Sequence, residues 1–314
     1  MDAGAGADFV GDAIGRMVLC STMRVPANGI ELEYESFGRA DDPAMVLIMG
    51  FAEQLLGYDA DFCERLAAEG FRVIRFDNRD VGLSTHLDAA TRPKIPAILA
   101  GDTSTVAYSI DDMAEDTAGL IRTLGPAPAH LVGVSMGGMI AQSLATRHPA
   151  IVRSLTSIMS TTGARNVGQP GAALPLLMRR PPTERAAFVE HGLETWRALG
   201  SPGFPFDEAR ARARVGAAFD RSFYPPGAAR QLAAILSQRD RTLDLGRLRI
   251  PATVIHGVDD PLVQVSGGEA TARAIPGANL ILIPGMGHDL PEALWPRLIG
   301  AIVETARRGE TSSS

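Results

Sequence analysis

The chain has 314 residues, which is long enough for one large α/β domain and an inserted lobe. Hydrophobic residues make up 46% of it and charged residues 21%, which is typical of a soluble globular enzyme. A formal net charge of −6 and the lack of a dense Lys/Arg cluster argue against nucleic acid or an anionic membrane surface as a partner. No stretch reaches the apolar length of a membrane span, and Met1–Leu19 lacks the basic region of a signal peptide, so we expect a cytoplasmic protein. Cys20 and Cys63 are expected to be free thiols, although a single bridge between them stays open.

A Gly/Ala-rich arm at residues 1–22, with room for a short helix in Phe9–Leu19, precedes a predicted hairpin. The hairpin spans Val25–Glu35 and turns at Asn28-Gly29, a strong turn pattern. Buried strands and amphipathic helices then alternate, which predicts a parallel, doubly wound sheet. The strands are Met45–Met49, Arg72–Phe76, His130–Val134 and Ser154–Met159, and the helices are Asp61–Glu69, Ser109–Leu124 and Met136–Arg147.

The alternation lapses between residues 162 and 245, where no buried strand is predicted. A structureless loop of that length is improbable in a compact domain, so we predict a helical insertion that includes Thr183–Leu199 and Pro226–Gln238. The core therefore consists of residues 23–161 and 246–309, with residues 310–314 as a polar tail. Its second part is predicted to contain the strands Ala252–His256 and Leu280–Ile283 and the helices Gly267–Ala274 and Pro291–Arg307.

The sharpest motif is Gly133-Val134-Ser135-Met136-Gly137, which joins a predicted buried strand directly to a helix. A serine on such a turn presents its hydroxyl above the edge of the sheet, and small residues on both sides let the strained backbone pass its neighbours. The pattern by itself can be a plain glycine-rich turn. Its position between strand and helix instead favours Ser135 as a nucleophile.

A serine nucleophile needs a base, and His288 is the best placed histidine. It follows the last predicted strand in a Gly-rich turn, and the carboxyl ends of parallel strands share one crevice. A solvated loop histidine is the alternative. The other five are expected to be structural or exposed: His86, His130, His148, His191 and His256.

The acid that orients the histidine should follow a strand lying between these residues in the chain. Asp259 and Asp260 both meet this condition, and spacing alone does not separate them. Glu53 is a weaker candidate because it lies on another loop. For the oxyanion, we expect the backbone N–H groups of Met136 and of Phe51, although Gly50 before Phe51 is also compatible with a simple turn.

From about Val25 to its end the chain resembles the α/β-hydrolase superfamily. Phe71–Ser84 is similar to that family's strand and turn with the pattern Asp-x-Arg-Gly-x-Gly-x-Ser, and Ile283–Pro291 resembles the branch that includes aclacinomycin methylesterase and many bacterial esterases. The resemblance implies a mostly parallel eight-stranded sheet and a helical cap over the substrate site. It also implies Asp260 as the acid of the triad, and no cofactor or metal.

Two positions depart from the family pattern: Met49 stands where histidine is common, and Asp80 replaces the glycine after Arg79. Neither change removes a reacting group. Ser135 also separates the chain from relatives that use an aspartate nucleophile, such as haloalkane dehalogenases.

These residues predict a serine hydrolase that cleaves a small hydrophobic carboxylic ester, as a monomer or homodimer. The same triad would serve a thioesterase, a lactonase, a C–C hydrolase or a cofactor-free perhydrolase, and a ligand receptor with lapsed catalysis is a further alternative. Bulky residues of the insertion, with a few from the core, are expected to line an apolar pocket. They are Met49, Gln54, Leu55, Trp196, Phe204, Phe206, Phe223, Tyr224 and Leu262.

Overall fold

The computed structural model describes residues 23–125 and 127–311. The predictions for the N-terminal arm, including Cys20 and the short helix, and for residues 312–314 of the tail lie outside this part of the chain. Cys63 is a buried free thiol, and its burial raises its pKa to about 12. None of the described helices is long and apolar enough to cross a membrane.

Eight strands form one sheet in the order β1-β2-β4-β3-β5-β6-β7-β8. β1 and β2 form the predicted hairpin, in which Asn28 and Gly29 have positive φ angles of 49° and 78°. β2 also pairs antiparallel with β4, and every other pairing is parallel. The predicted mostly parallel, eight-stranded sheet is therefore confirmed. The strands are β1 (Met23–Ala27), β2 (Ile30–Phe37), β3 (Ala44–Ile48), β4 (Arg72–Phe76), β5 (Ala129–Val134), β6 (Val152–Ile158), β7 (Ala252–Gly257) and β8 (Asn279–Ile283).

Helices cover both faces of the sheet and enclose two hydrophobic cores. One core lies beneath α3 (Ile110–Leu124) and α4 (Met136–Arg147), and the other beneath α1 (Ala60–Ala68) and α11 (Trp295–Thr311). The helix α3 begins at a capping box made by Ser109 and Asp112. The last helix continues to Thr311, two residues into the predicted tail. The helices of the core are α1 (Ala60–Ala68), α2 (Ile95–Leu99), α3 (Ile110–Leu124), α4 (Met136–Arg147), α10 (Ser266–Ala274) and α11 (Trp295–Thr311). The sequence predicted α1, α3, α4, α10 and α11 but not the short α2, and it began the last helix at Pro291 instead of Trp295.

Five helices lie between β6 and β7, where the sequence predicts an insertion; its boundaries at residues 162 and 245 stay a prediction. α6 and α7 pack on each other around a small apolar cluster that contains Val189, Leu193 and Val215. The helices of the insertion are α5 (Leu174–Leu177), α6 (Arg185–Leu199), α7 (Glu208–Arg221), α8 (Pro225–Leu236) and α9 (Thr242–Leu245). The sequence analysis predicted the helices that correspond to α6 and α8 but not α5, α7 or α9.

A buried ion pair joins the insertion to the core at Asp80, the position where the family has glycine. Arg230 of α8 donates from Nε to Asp80 Oδ2 over 2.7 Å and from Nη2 to Oδ1 over 2.8 Å. Both side chains are almost fully buried. Burial by itself would raise the pKa of Asp80, but the hydrogen bonds from Arg230 and from the Leu87 N–H and the charge of Arg230 hold it below its ordinary value. The departure from the family pattern therefore creates an attachment point for α8.

We expect Asp80→Ala to lower the free energy of unfolding by about 3–5 kcal/mol, because the substitution leaves a buried guanidinium without its partner. Since the folded-state pKa of Asp80 is lowered, the pair stabilises the protein above the unfolded pKa of ~3.9, and this contribution is lost as the pH falls through the folded value. Urea unfolding at neutral pH measures the loss. Asp88→Ala, which removes an exposed acceptor of the Tyr224 hydroxyl, is the control and should cost less than about 1 kcal/mol. Equal losses in the two variants would contradict the assigned role of Asp80.

Candidate active site

Four loops meet at the carboxyl edge of the sheet, where β3, β5, β7 and β8 end. They carry Phe51, Ser135, Asp260 and His288 respectively. In a parallel sheet this edge is the place where residues from distant parts of the chain converge. Ser135 and His288 line the same cavity, together with Phe51.

Ser135 occupies a tight turn between β5 and α4, with φ 56° and ψ −119°. This left-handed conformation is costly for a residue with a side chain and is typical of functional positions. The Ser135 N–H donates to the Ile158 carbonyl of β6 over 2.9 Å, which fixes the turn against the sheet. Any side chain at Gly133 would collide with the Gly137 carbonyl, and any side chain at Gly137 with the Ile48 carbonyl. The two glycines of the motif are therefore required by close backbone approach.

His288 Nδ1 lies 2.7 Å from Asp260 Oδ2, and both residues are buried. The other carboxylate oxygen of Asp260 accepts hydrogen bonds from the N–H groups of Leu262 and Val263, each over 2.8 Å. Burial alone would raise the pKa of Asp260, but the charge of His288 and the hydrogen bonds to the carboxylate hold it well below its ordinary value. Asp260 is therefore an ionised acceptor for the imidazole.

Asp259 has a different role from its neighbour. Its side chain is exposed, and its Oδ2 accepts a hydrogen bond from the Gly285 N–H over 2.7 Å, in the loop that follows β8. The tertiary structure thus separates the two candidates that spacing alone left open: Asp260 contacts His288, and Asp259 braces the loop before it.

His256 is a second histidine beside Asp260, which the sequence analysis did not assign to the site. Its Nε2 lies 2.8 Å from the Val263 carbonyl and 3.5 Å from Asp260 Oδ2. Because a carbonyl oxygen only accepts, Nε2 carries the hydrogen. His256 therefore supports the Asp260 loop from beneath, while His288 faces the cavity.

The loop after β3 lies directly against the Ser135 turn. A Cβ atom built on Gly50 would be 3.9 Å from Ser135 Oγ. Within the described residues the Phe51 N–H has no hydrogen-bond partner. Met136, the first residue of α4, has an N–H without an acceptor in its own helix. These are the two N–H groups predicted for the oxyanion.

Two side chains from outside this loop hold its backbone. The Ala52 N–H donates to Gln231 Oε1 of α8 over 2.8 Å, and Ala52 has a positive φ of 57°. Asn78 Nδ2 donates to the Met49 carbonyl over 3.0 Å. Gln231 is fully buried and also donates to the Arg79 carbonyl. The insertion therefore takes part in fixing the loop that carries Phe51.

A cavity of about 250 Å³ opens above Ser135 between the insertion and the sheet. Its walls include the acidic side chain of Glu53 as well as apolar groups such as Phe188. Burial raises the pKa of Glu53, and the charge of Arg214 opposes that rise. Of the residues predicted for the pocket, those that line it are Met49, Gln54, Trp196, Phe223, Tyr224 and Leu262.

Three predicted pocket residues do not line this cavity. Leu55 is fully buried on the first position of a 3-10 turn, so its neighbour Leu56 faces the cavity instead. Phe204 packs against the second hydrophobic core beside Gly285. Phe206 is 38% exposed and lines a separate cavity of about 600 Å³ that also reaches His288.

The other histidines are distributed as follows. His191, expected to be structural or exposed, lines the cavity wall instead. His86 stacks on Tyr224 with ring centroids 3.8 Å apart. His130 and His148 form hydrogen bonds with Glu310 and Glu115, away from the site.

Comparison with known proteins agrees with this architecture. The family described as alpha/beta hydrolase fold matches residues 43–292. The chain belongs to the α/β-hydrolase family. Among relatives of this α/β hydrolase, rhodomycin D methylesterase of Streptomyces peucetius is 29% identical over 310 residues, which cover 91% of this chain and 98% of that protein. A pimeloyl-acyl-carrier-protein methyl ester esterase of Chromobacterium violaceum is 30% identical over 176 residues, covering 56% and 68% of the two chains.

Solved structures share the fold of this α/β hydrolase. A meta-cleavage product hydrolase of Pseudomonas fluorescens superimposes with a TM-score of 0.72 at 18% identity, covering 91% of this chain and 97% of that one. An enol-lactonase of Burkholderia xenovorans gives a TM-score of 0.71 at 22% identity, with coverage of 91% and 100%. The predicted resemblance to an esterase branch of this fold agrees with the family and with the names of its relatives.

We expect Gly137→Ala to lower the free energy of unfolding by about 3 kcal/mol or more, at or above the upper end of the range for an overpacked core. The loss is large because the added methyl group meets the backbone of β3 rather than a movable side chain. Gly300→Ala in α11 is the matched control: its Cβ would stand in open space, so it should stabilise the helix by about 0.5–1 kcal/mol. Denaturant unfolding of the two variants checks both signs. A Gly137→Ala variant as stable as the parent would show that the turn is not closely packed.

Proposed function

We propose that this α/β hydrolase is a serine ester hydrolase with Ser135 as nucleophile, His288 as base and Asp260 as the orienting acid. The observation that carries the proposal is the 2.7 Å contact between His288 Nδ1 and the buried, ionised Asp260, at the edge of the sheet where Ser135 is exposed to the same cavity. A carboxylate that accepts from Nδ1 leaves Nε2 of the imidazole able to accept a proton.

The reaction follows from these positions. Ser135 Oγ attacks the ester carbonyl carbon while its proton passes to His288 Nε2, and Asp260 stabilises the imidazolium. The N–H groups of Phe51 and Met136 hold the oxyanion, and because the loop and turn are already fixed they need little rearrangement. Collapse expels the alcohol, which takes the proton from His288. Water then attacks the acyl-enzyme by the same route, which releases the acid and restores Ser135.

The pocket walls and the named relatives support an ester of a largely apolar acid. Phe188, Trp196 and Phe223 form an aromatic wall above the site, and two of the relatives are named methylesterases. A small hydrophobic ester, in particular a methyl ester, therefore fits best. A cytoplasmic location and a monomer or homodimer stay predictions from the sequence.

Thioester, lactone and C–C bond cleavage, and perhydrolysis, would use the same three residues, and so would a receptor that retains them without turnover. The relatives named as methyl ester esterases favour the ester. Turnover of a p-nitrophenyl ester distinguishes an enzyme from a receptor.

We expect Ser135→Ala to reduce kcat/KM for p-nitrophenyl butyrate by at least ~10⁴-fold, because it removes the nucleophile and leaves only binding and the oxyanion N–H groups. Steady-state kinetics measure the loss, and the unfolding midpoint serves as the control for an intact fold. Full activity of a folded Ser135→Ala protein would rule out the assigned nucleophile.

The two neighbouring aspartates provide a sharper test of the orienting acid. Asp260→Asn should lower kcat by up to ~10⁴-fold, because an amide favours the wrong histidine tautomer. Asp259→Asn should cost less than about 10-fold, since it only weakens one hydrogen bond to the Gly285 N–H. The test is the kcat of each variant for the same ester. A larger loss of kcat in Asp259→Asn than in Asp260→Asn would assign the orienting role to Asp259.

A further inference from the structure

Arg214 of α7 presents a guanidinium to the substrate cavity. It lines both the cavity above Ser135 and the neighbouring one that reaches His288. Its Cζ lies 4.3 Å from the centroid of the Trp196 ring, which covers one face of the guanidinium. Such a contact immobilises the side chain while leaving the hydrogen-bonding edge of the fork uncovered.

In the part of the chain that the structure describes, this guanidinium has neither a hydrogen-bond acceptor nor an ion-pair partner. Its buried Nε–H donates to no acceptor among the described residues, and no carboxylate oxygen there lies within 4 Å of its guanidinium. Every other arginine near it on α7 is paired: Arg210 with Asp59, Arg212 with Glu190 and Arg221 with Asp77. Arg214 is only partly exposed, and its buried Nε–H is a desolvated donor without an acceptor. Leaving such a donor unsatisfied is costly, so the unpaired Nε–H points to a ligand.

The charge of Arg214 also acts on two acidic side chains that lie more than 4 Å away, Glu53 and Asp289. Burial raises the pKa of Glu53 and of Asp289, and Arg214 opposes both rises. Asp289 already bonds with the Ser201 hydroxyl. Neither carboxyl group forms an ion pair with Arg214 within 4 Å.

We propose that Arg214 binds a carboxylate of the substrate, so that the preferred substrate is the half-ester of an apolar dicarboxylic acid. This inference rests on the proposed function: Ser135 attacks the esterified end, and the free carboxylate is held by the guanidinium at the other end of the cavity. A planar guanidinium pairs with a carboxylate through two parallel hydrogen bonds, which supplies both attraction and orientation. The aromatic wall then contacts the apolar chain between the two ends.

The test compares monomethyl and dimethyl esters of the same diacids, from succinate to sebacate, together with terephthalate. The quantity measured is the ratio of kcat/KM for the monomethyl ester to that for the dimethyl ester. In the parent enzyme the ratio should be highest at the one length that spans Ser135 and Arg214. Arg214→Gln should lower that ratio by at least ~10-fold, the usual effect of losing a charged hydrogen bond.

Arg212→Gln is the matched control, since Arg212 lies on the same helix but is exposed and pairs with Glu190 and Glu208; its ratio should equal that of the parent. The rival explanation is that Arg214 only balances Glu53. In that case Arg214→Gln would slow both esters alike and Glu53→Gln would restore the activity, which would overturn the proposal. If Arg214→Gln still lowers the monomethyl-to-dimethyl ratio of kcat/KM in the Glu53→Gln background, the carboxylate site at Arg214 is supported.

Calorimetry tests the carboxylate site at Arg214 independently of the proposed ester hydrolysis. In the non-reacting Ser135→Ala background, Arg214→Gln should raise the Kd of the best monomethyl ester by at least ~10-fold and leave that of its dimethyl ester less affected. An unchanged Kd overturns the carboxylate site even where neutral esters are hydrolysed. If no ester is hydrolysed by the parent, the proposed function fails, whereas the binding difference still decides the role of Arg214.

Discussion

The left-handed backbone of Ser135 at the junction of β5 and α4 is the constraint around which the other parts of the site are arranged. A β-strand that turns at once into a helix leaves room for no side chain at Gly133 or Gly137, and it brings α4 so close to β3 that its first turn touches the Ile48 carbonyl. The same closeness puts the Gly50 loop against Ser135. One tight turn therefore places Ser135 beside the loop and the helix start that carry the two N–H groups predicted for the oxyanion, and β5 holds a central position in the sheet.

The insertion does more than cover the cavity. Gln231 of α8 accepts from the Ala52 N–H, and Gln54 Nε2 donates to the carbonyls of Ala218 and Ser222 at the end of α7. Arg221 then reaches back to Gln54 and to the buried Asp77. These contacts are short, partly buried and made by groups from both parts of the chain, so α7, α8 and the loop after β3 form one hydrogen-bonded unit. The position of the insertion and the geometry of the Phe51 N–H are consequently linked.

Most of the elements could be predicted because their patterns are local. β3 is a continuous apolar run, β5 is buried throughout, and Met136–Arg147 has the same bounds in prediction and structure. The helix α7 was missed, because its buried face consists of only Ala211, Val215 and Gly216 and so produces a weak apolar stripe. The error at Leu55 has a similar origin. On a single 3-10 turn adjacent residues point in different directions, and no periodicity shows whether Leu55 or Leu56 faces the cavity.

By itself the sequence determined the fold and singled out Ser135 and His288 as candidates, since a strand, a Gly-rich turn and the order of elements are encoded by neighbouring residues. Only the tertiary structure separated Asp260 from Asp259, brought His256 to within 3.5 Å of the Asp260 carboxylate, and left Arg214 at the cavity wall without an ion-pair partner among the described residues. The physical reason is the same in each case. Whether a side chain finds a partner depends on the direction in which it leaves the backbone and on groups far away in the chain, and neither is expressed in local composition or spacing.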